Sequence, residues 1–257
     1  MKDNFIKFLG TAGARFVMIK QLRSSGGIWI NFNSQSILID PGPGCIVRLA
    51  DSRPRLNASN LDAVILTHRH LDHANDVNVM IEAMTDCWFN KKGILFVPQD
   101  ALIKDSVVLK HAQKFVKRIE LLKPGKSYRV GAIKFKVPCR MKHPVETYSL
   151  TFNFNKDKVS FISDTQYYKG LASFFRGSNI IILNVVFLNP RKDIQHLDLI
   201  SAETLIKEIN PQKAILTHFG MSMLKAGPGK LAGRLTKRLG IDVLAAYDGM
   251  EFDLLKG

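Results

Sequence analysis

Two β-sheets covered by helices is the architecture this sequence predicts, an α/β (α+β) fold in one domain over residues 1–257. Three observations carry it. Short apolar stretches of strand length end at polar loops throughout the chain, and stretches with an apolar residue every three or four positions fall between some of them in both halves. The chain, at 257 residues and 46% hydrophobic, is also long enough to bury one large core.

The first half places strands at 5–9, 28–32, 36–40 and 63–67. The second half places them at 134–137, 148–154, 159–163, 180–184, 214–217 and 243–246. Helical periodicity is found at 76–84, 107–116, 199–209 and 229–239, and Pro211 stands just beyond the third of these, as expected after a helix end. Asp40-Pro41-Gly42-Pro43-Gly44 reads as a turn, because proline fixes φ and glycine permits positive φ. No repeat, low-complexity tract or linker stands out.

The longest nearly apolar stretch, 180–188, is interrupted by Asn184 and falls far short of the roughly 20 residues needed to span a bilayer. The start, Met-Lys-Asp-Asn and then five residues of apolar run, lacks the pattern of a secretory signal. A cytoplasmic protein with no membrane association is expected. Cys45, Cys87 and Cys139 are scattered and never form a Cys-x-x-Cys pair, so they read as small buried apolar residues and not as a disulfide or thiolate framework.

A formal charge of +15 suggests an anionic partner. The excess is uneven: residues 104–142 hold twelve lysines and arginines against Asp105 and Glu120. Lys225, Lys230, Arg234, Lys237 and Arg238 form a second basic group. A solvated surface and a phosphate-binding surface are both open readings of this pattern.

The chemistry concentrates where the apolar 64–67 strand runs directly into His68-Arg69-His70-Leu71-Asp72-His73. Residues two apart on an extended segment point the same way, so His68 and His70 can chelate one ion together. Asp72 and His73 come where the chain turns and suit a second ion close by. Three imidazoles, one carboxylate and no thiolate fit zinc, with manganese, iron and cobalt also compatible.

These residues, Thr67-His68-Arg69-His70-Leu71-Asp72-His73, resemble the His-x-His-x-Asp-His signature of the metallo-beta-lactamase superfamily. Phe8-Leu9-Gly10-Thr11 and Ile39-Asp40-Pro41-Gly42 resemble the opening motifs of its phosphodiesterase branch, to which ribonuclease Z belongs. Later positions then follow the family's order: His143 in His-Pro-Val-Glu-Thr-Tyr, Asp164 in Ser-Asp-Thr and His218 in Leu-Thr-His-Phe-Gly. The resemblance implies a four-layer αββα sandwich with a dinuclear site in a cleft at one edge of the two sheets. It further implies one ion held by His68, His70 and His143, a second by Asp72, His73 and His218, and Asp164 bridging. Homodimerisation is implied on the same ground alone.

His196, in His-Leu-Asp-Leu-Ile-Ser-Ala-Glu, lies 22 residues before His218. Its placement is similar to that of a non-ligand histidine assisting phosphodiester cleavage in the ribonuclease Z group; a surface histidine near a helix N-cap is the alternative. His111 matches nothing and reads as surface. Two ions would lower the pKa of a bridging water, polarise a phosphoryl oxygen and stabilise charge in an in-line displacement. Asp72 is then expected to orient the hydroxide, and His196 to stabilise the transition state or protonate the leaving oxygen. Lys20 and Arg23 are candidate phosphate contacts.

Only 21 residues separate His143 from Asp164, and no long Gly/Pro-rich arm of the kind that grips transfer RNA is present. A nucleotide, a cyclic nucleotide, a short oligonucleotide or a phosphonate-derived cyclic phosphate is therefore as much expected as RNA. Two other readings stay open: a thioester or lactone hydrolase with the same ligands, and a basic nucleic-acid binder with a structural metal. The second meets the objection that structural zinc sites are usually closed and thiolate-rich. Diiron flavoprotein relatives carry a carboxylate where this chain has His70, which sets that redox class aside.

Overall fold

The computed structural model describes residues 4–13, 15–103 and 105–254. Met1, Lys2 and Asp3 of the N-terminal reading and Lys104 of the basic segment lie outside them.

Two seven-stranded sheets face each other. The first contains β1 (Phe5–Phe8), β2 (Ile28–Phe32), β3 (Gln35–Ile39), β4 (Ala63–Ile65), β5 (Ile94–Val97), β6 (Arg118–Leu121) and, from the far end of the chain, β14 (Glu251–Asp253). Its order is β14-β1-β2-β3-β4-β5-β6, with β3 through β6 parallel. The second contains β7 (Ser127–Val130), β8 (Ile133–Lys136), β9 (Leu150–Phe154), β10 (Asp157–Ile162), β11 (Ile180–Asn184), β12 (Lys213–Thr217) and β13 (Asp242–Ala245). Its order is β13-β12-β11-β10-β9-β8-β7, with β10 through β13 parallel.

Alternation along each strand explains the layers. Ile37 and Ile39 of β3 turn inward to meet Phe135, Phe152, Phe161 and Ile182 of the other sheet, while Leu38 turns outward. In β11, Ile180 and Ile182 join the same central core, and Ile181 and Leu183 join the outer one. Helices α2 (Cys45–Asp51) and α4 (Val77–Met84) cover the first sheet through Leu49, Met80, Ile81 and Met84. Helices α5 (Leu199–Ile209), α6 (Met221–Ala226) and α7 (Pro228–Leu239) cover the second through Leu205, Ile206, Met223, Leu231 and Leu235. The result is the expected αββα sandwich.

Two expectations fail. Residues 107–116 form turns and a short 3₁₀ segment, Ala112–Lys114, not a helix. Side chains there satisfy the backbone locally: Ser106 Oγ lies 2.6 Å from Val108 O and 3.0 Å from Ala101 O, with its one proton available to either, and Asn78 bonds both Val107 O and Leu109 N. Such bonds offer the chain an alternative to the helical ladder. Cys87 is exposed, not buried, because it follows the end of α4 in a left-handed turn at φ 53°. Cys45 and Cys139 are buried as expected. No helix among the described residues is long and apolar enough to cross a membrane.

Candidate metal centre

Every proposed ligand sits where a strand ends at one rim of the two sheets. The chain leaves buried β4 through Leu66 and Thr67, so His68 follows from the strand in the core. His70 is still extended, φ −63° and ψ 145°, and is the N-cap residue of a one-turn helix α3 (Leu71–Ala74) that carries Asp72 and His73. Asp164 lies two residues beyond β10, and His218 directly follows β12 in the left-handed region at φ 61°. His143 is in the loop after β8, and His196 precedes Asp198, the residue whose carboxylate caps α5. The first sheet therefore supplies four side chains and the second sheet supplies the others.

Their ligand atoms converge. His68, His70 and His143 form one group, and Asp72, His73 and His218 another, each with its ligand atoms within 4.8 Å of one another. His143, Asp164 and His196 form a further such group, and Asp40, His68 and His73 another. Asp164 Oδ2 occupies the middle, 3.5 Å from His73 Nε2, His218 Nε2 and His196 Nδ1 and 3.7 Å from His68 Nε2. The ring nitrogens of His70 and His143 stand 3.1 Å apart. Two nitrogens at about 2.0–2.1 Å from one tetrahedral ion lie at roughly that separation.

The fit to a cation can be tested on hydrogen bonding. Buried polar atoms almost always have a partner. Here His68 Nε2, Asp72 Oδ2, His73 Nε2, Asp164 Oδ2, His196 Nδ1 and His218 Nε2 are buried with none. Six unpartnered lone-pair atoms facing one small volume fit divalent ions, and their chemistry, imidazole and carboxylate, suits zinc, manganese or iron.

The opposite ring nitrogens are engaged, which sets the tautomers. His73 Nδ1 lies 2.9 Å from Asp40 Oδ2, and His143 Nδ1 lies 2.9 Å from the carbonyl of Gln195. Thr67 Oγ1 donates its single proton to Asp40, so His68 Nδ1, 3.0 Å away, donates to that hydroxyl oxygen. Asp164 Oδ1 accepts from Asn184 Nδ2 at 2.8 Å, which leaves Oδ2 for the site.

Burial, with neighbouring His73, pushes the pKa of His68 well below its usual value, and burial with His143 lowers that of His70 to about 4. Burial also lowers that of His196, against the pull of Asp164. Burial acts the same way on His73, but Asp72, Asp164 and Asp40 outweigh it and hold its pKa well above the usual value. Burial would raise the carboxyl pKa of Asp164; His218, His196 and His73 hold it well below instead.

All seven predicted ligands and His196 are thus brought together. Lys20 and Arg23 are not in this cluster: Lys20 is exposed, and Arg23 Nη1 donates to Thr11 Oγ1. His111 is at the surface beside Glu82. Asp40 and Asn184 escaped the sequence reading, one taken for part of a turn and the other for a break in an apolar run. The available signal was a polar side chain at the end of, or inside, a fully apolar strand, which must find a buried partner.

A family model described as the beta-lactamase superfamily domain matches residues 35–219, and the chain belongs to that superfamily, with the metallo-beta-lactamase fold. The uncharacterised protein MJ1374 of Methanocaldococcus jannaschii is 29% identical over 98% of this chain and 96% of its own. Ribonuclease Z of Clostridium novyi is 21% identical over 85% of this chain and 89% of its own. Among solved structures, the metallo-beta-lactamase fold protein YhfI from Bacillus subtilis superposes with a TM-score of 0.80 at 20% identity, covering 97% of this chain and 98% of that one. With its His/Asp cluster, the chain fits a metal-dependent hydrolase of this superfamily.

Proposed function

We propose that this protein is a dinuclear metal-dependent phosphodiesterase acting on a nucleotide, oligonucleotide or RNA. The observation that carries the reading is the pair of ligand groups on either side of Asp164 Oδ2, with their unpartnered buried atoms. His68, His70 and His143 would hold one ion and Asp72, His73 and His218 the other, with Asp164 shared; zinc fits best. Bound divalent ions supply a Lewis acid for a phosphoryl oxygen and a water acidic enough to ionise near pH 7.

The chain's own residues then divide the remaining work. Asp40, Thr67 and the Gln195 carbonyl hold His73, His68 and His143 in the tautomers that present a lone pair. Asn184 aims Asp164. Asp72 orients the attacking water, and His196, its imidazole beside Asp164, hydrogen-bonds the developing charge or protonates the leaving oxygen. A phosphodiester is favoured over a thioester or lactone by the ribonuclease Z relative and by a net charge of +15, which attracts phosphates.

The test is hydrolysis of bis(p-nitrophenyl) phosphate beside a thioester and a lactone, with metal-loaded protein. Diester cleavage is expected, lost in Asp164→Ala and reduced in His196→Ala by about 10²–10⁴-fold at unchanged metal content. Thioester or lactone cleavage alone would replace this reading with acyl hydrolysis. Metal loss in His196→Ala would make that residue structural.

A further inference from the structure

We propose that the outer face of β7–β10 binds the sugar-phosphate backbone of a single-stranded oligonucleotide. The choice of a nucleic acid rests on the phosphodiesterase reading; binding itself does not depend on turnover.

Strand register places cations side by side. The inward residues Tyr128, Val130, Ile133, Phe135, Phe152 and Val159 are in the central core. On the other face, Arg129 pairs with Lys134, Lys134 with Asn153, and Asn153 with Lys158, so one row crosses four strands. The neighbouring row pairs Ser127 with Lys136. Ser127, Arg129, Lys134, Lys136 and Asn153 are exposed, so no helix covers them.

This arrangement works against the sheet. Like charges directly opposite each other, as Arg129 and Lys134 are, destabilise a strand pair. Lysines that guard a sheet against edge-to-edge pairing belong on the edge strand, yet Lys134, Lys136 and Lys158 are on β8 and β10, inside β7. No carboxylate relieves them: the lysines and arginines in ion pairs among the described residues are Lys7, Arg69, Arg118, Lys126, Lys213 and Arg238. Arg129 and Lys158 bond only to the carbonyls of Gly131 and Arg176, which leaves their charges uncancelled.

On this face the cations of β8 end at Lys136. Beyond β8 the buried side changes: Val137 is in the central core, Cys139 and Met141 are in the outer one, and Arg140 pairs with Tyr148 of the central core, so exposed Arg140 and Lys142 face away from the row. A strand advances about 3.3 Å per residue and neighbouring strands lie about 4.8 Å apart, so Lys134 and Lys136 stand roughly 7 Å apart along β8 and Arg129 and Lys134 roughly 5 Å apart across it. Cations at these spacings across the sheet match the closely repeated charges of one nucleic-acid strand. The weight therefore falls on Arg129, Lys134, Lys136 and Lys158. An anionic membrane would require apolar side chains between the cations, and these rows hold Ser127 and Asn153 instead.

The probe is a fluorescein-labelled twelve-residue oligouridylate, its binding to the metal-loaded full chain followed by anisotropy from low to moderate salt. Arg129→Ser/Lys134→Thr/Lys136→Thr is expected to weaken binding about tenfold or more and to reduce the slope of log K against log salt by about two, since each contact to a single strand contributes about 0.7. Its hydrolysis of bis(p-nitrophenyl) phosphate should equal that of the parent. A parallel Lys230→Gln/Lys237→Gln variant on α7 should bind normally. Unchanged affinity and slope in the triple variant would overturn the proposal, as would loss confined to the α7 variant or to phosphatidylserine vesicles. Should the triple variant not fold, Lys136→Gln alone is expected to reduce the slope by about 0.7, and an unchanged slope overturns the proposal equally. Binding that follows these expectations in a protein without diesterase activity would defeat the function reading while leaving the track intact.

Discussion

Asp40 acts one hydrogen bond removed from the proposed metal centre. One carboxylate accepts from Thr67 N and Thr67 Oγ1 and meets His73 Nδ1, so a single side chain fixes both the end of the ligand-bearing segment and a ligand's tautomer. Replacing it by asparagine keeps the shape and removes the charge that holds the Nδ1 proton. Asp40→Asn is expected to weaken metal binding about 10–100-fold, measured by competition with a chromophoric chelator. Affinity equal to the parent's would show that His73 needs no such partner. At this scale the sequence was legible wherever ligands crowd together, as in His68 to His73, because their spacing alone restricts the chemistry. Asp40 and Asn184 were less so, since what gives each its role is a partner 20 or more residues away.

Elements were legible where periodicity and burial agree. Helices α4 and α5 and strands β2, β3 and β11 follow the apolar pattern closely. The missed strands are short: β5 is a mostly buried run of only four apolar residues, β6 is only partly buried, β7 carries exposed Ser127 and Arg129, and β14 is three residues long. In 107–116 the apolar spacing was real, but Ser106 and Asn78 capture the backbone first. The turn after β3 shows how tightly elements meet near the site. A Cβ on Gly42 would lie 2.0 Å from Ser25 O and 2.1 Å from Asp72 O, both backbone atoms. Gly42→Ala must therefore push the turn away from α3, which carries Asp72 and His73. The expected cost is about 1–3 kcal/mol, or about 2–10 °C in Tm for a chain of this size, together with lowered metal content. A normal Tm with full metal loading would contradict this close approach.

For the whole molecule, the clustered histidines make the metal-free protein acid-sensitive. His68, His70 and His196 have depressed pKa values in the fold, so their contribution to stability is present above the ordinary value of about 6.5 and is lost as pH falls toward the folded value, about 4 for His70. His73, raised instead, contributes below 6.5 and loses that contribution as pH rises through its folded value. With three against one, the Tm of chelator-treated protein is expected to fall between pH 6.5 and 4, followed by calorimetry. A flat or rising Tm over that window would mean that His73 dominates. The layer architecture was legible in sequence because it follows from amphipathic elements that need a common interior. Strand order was not, because pairing depends on which distant segments meet.

One such pairing has a kinetic consequence. Strand β14 lies against β1, Phe5 opposite Asp253, and Asp248 accepts from Thr11 and Ser24 beside the site. A growing chain emerging from the ribosome can assemble β1 through β5 early, but the outer edge of β1 waits for β14 until nearly 250 further residues have been synthesised. Closure across so long a separation is slow, so the first sheet gains its edge strand late, and the segment that carries Asp248 settles with it.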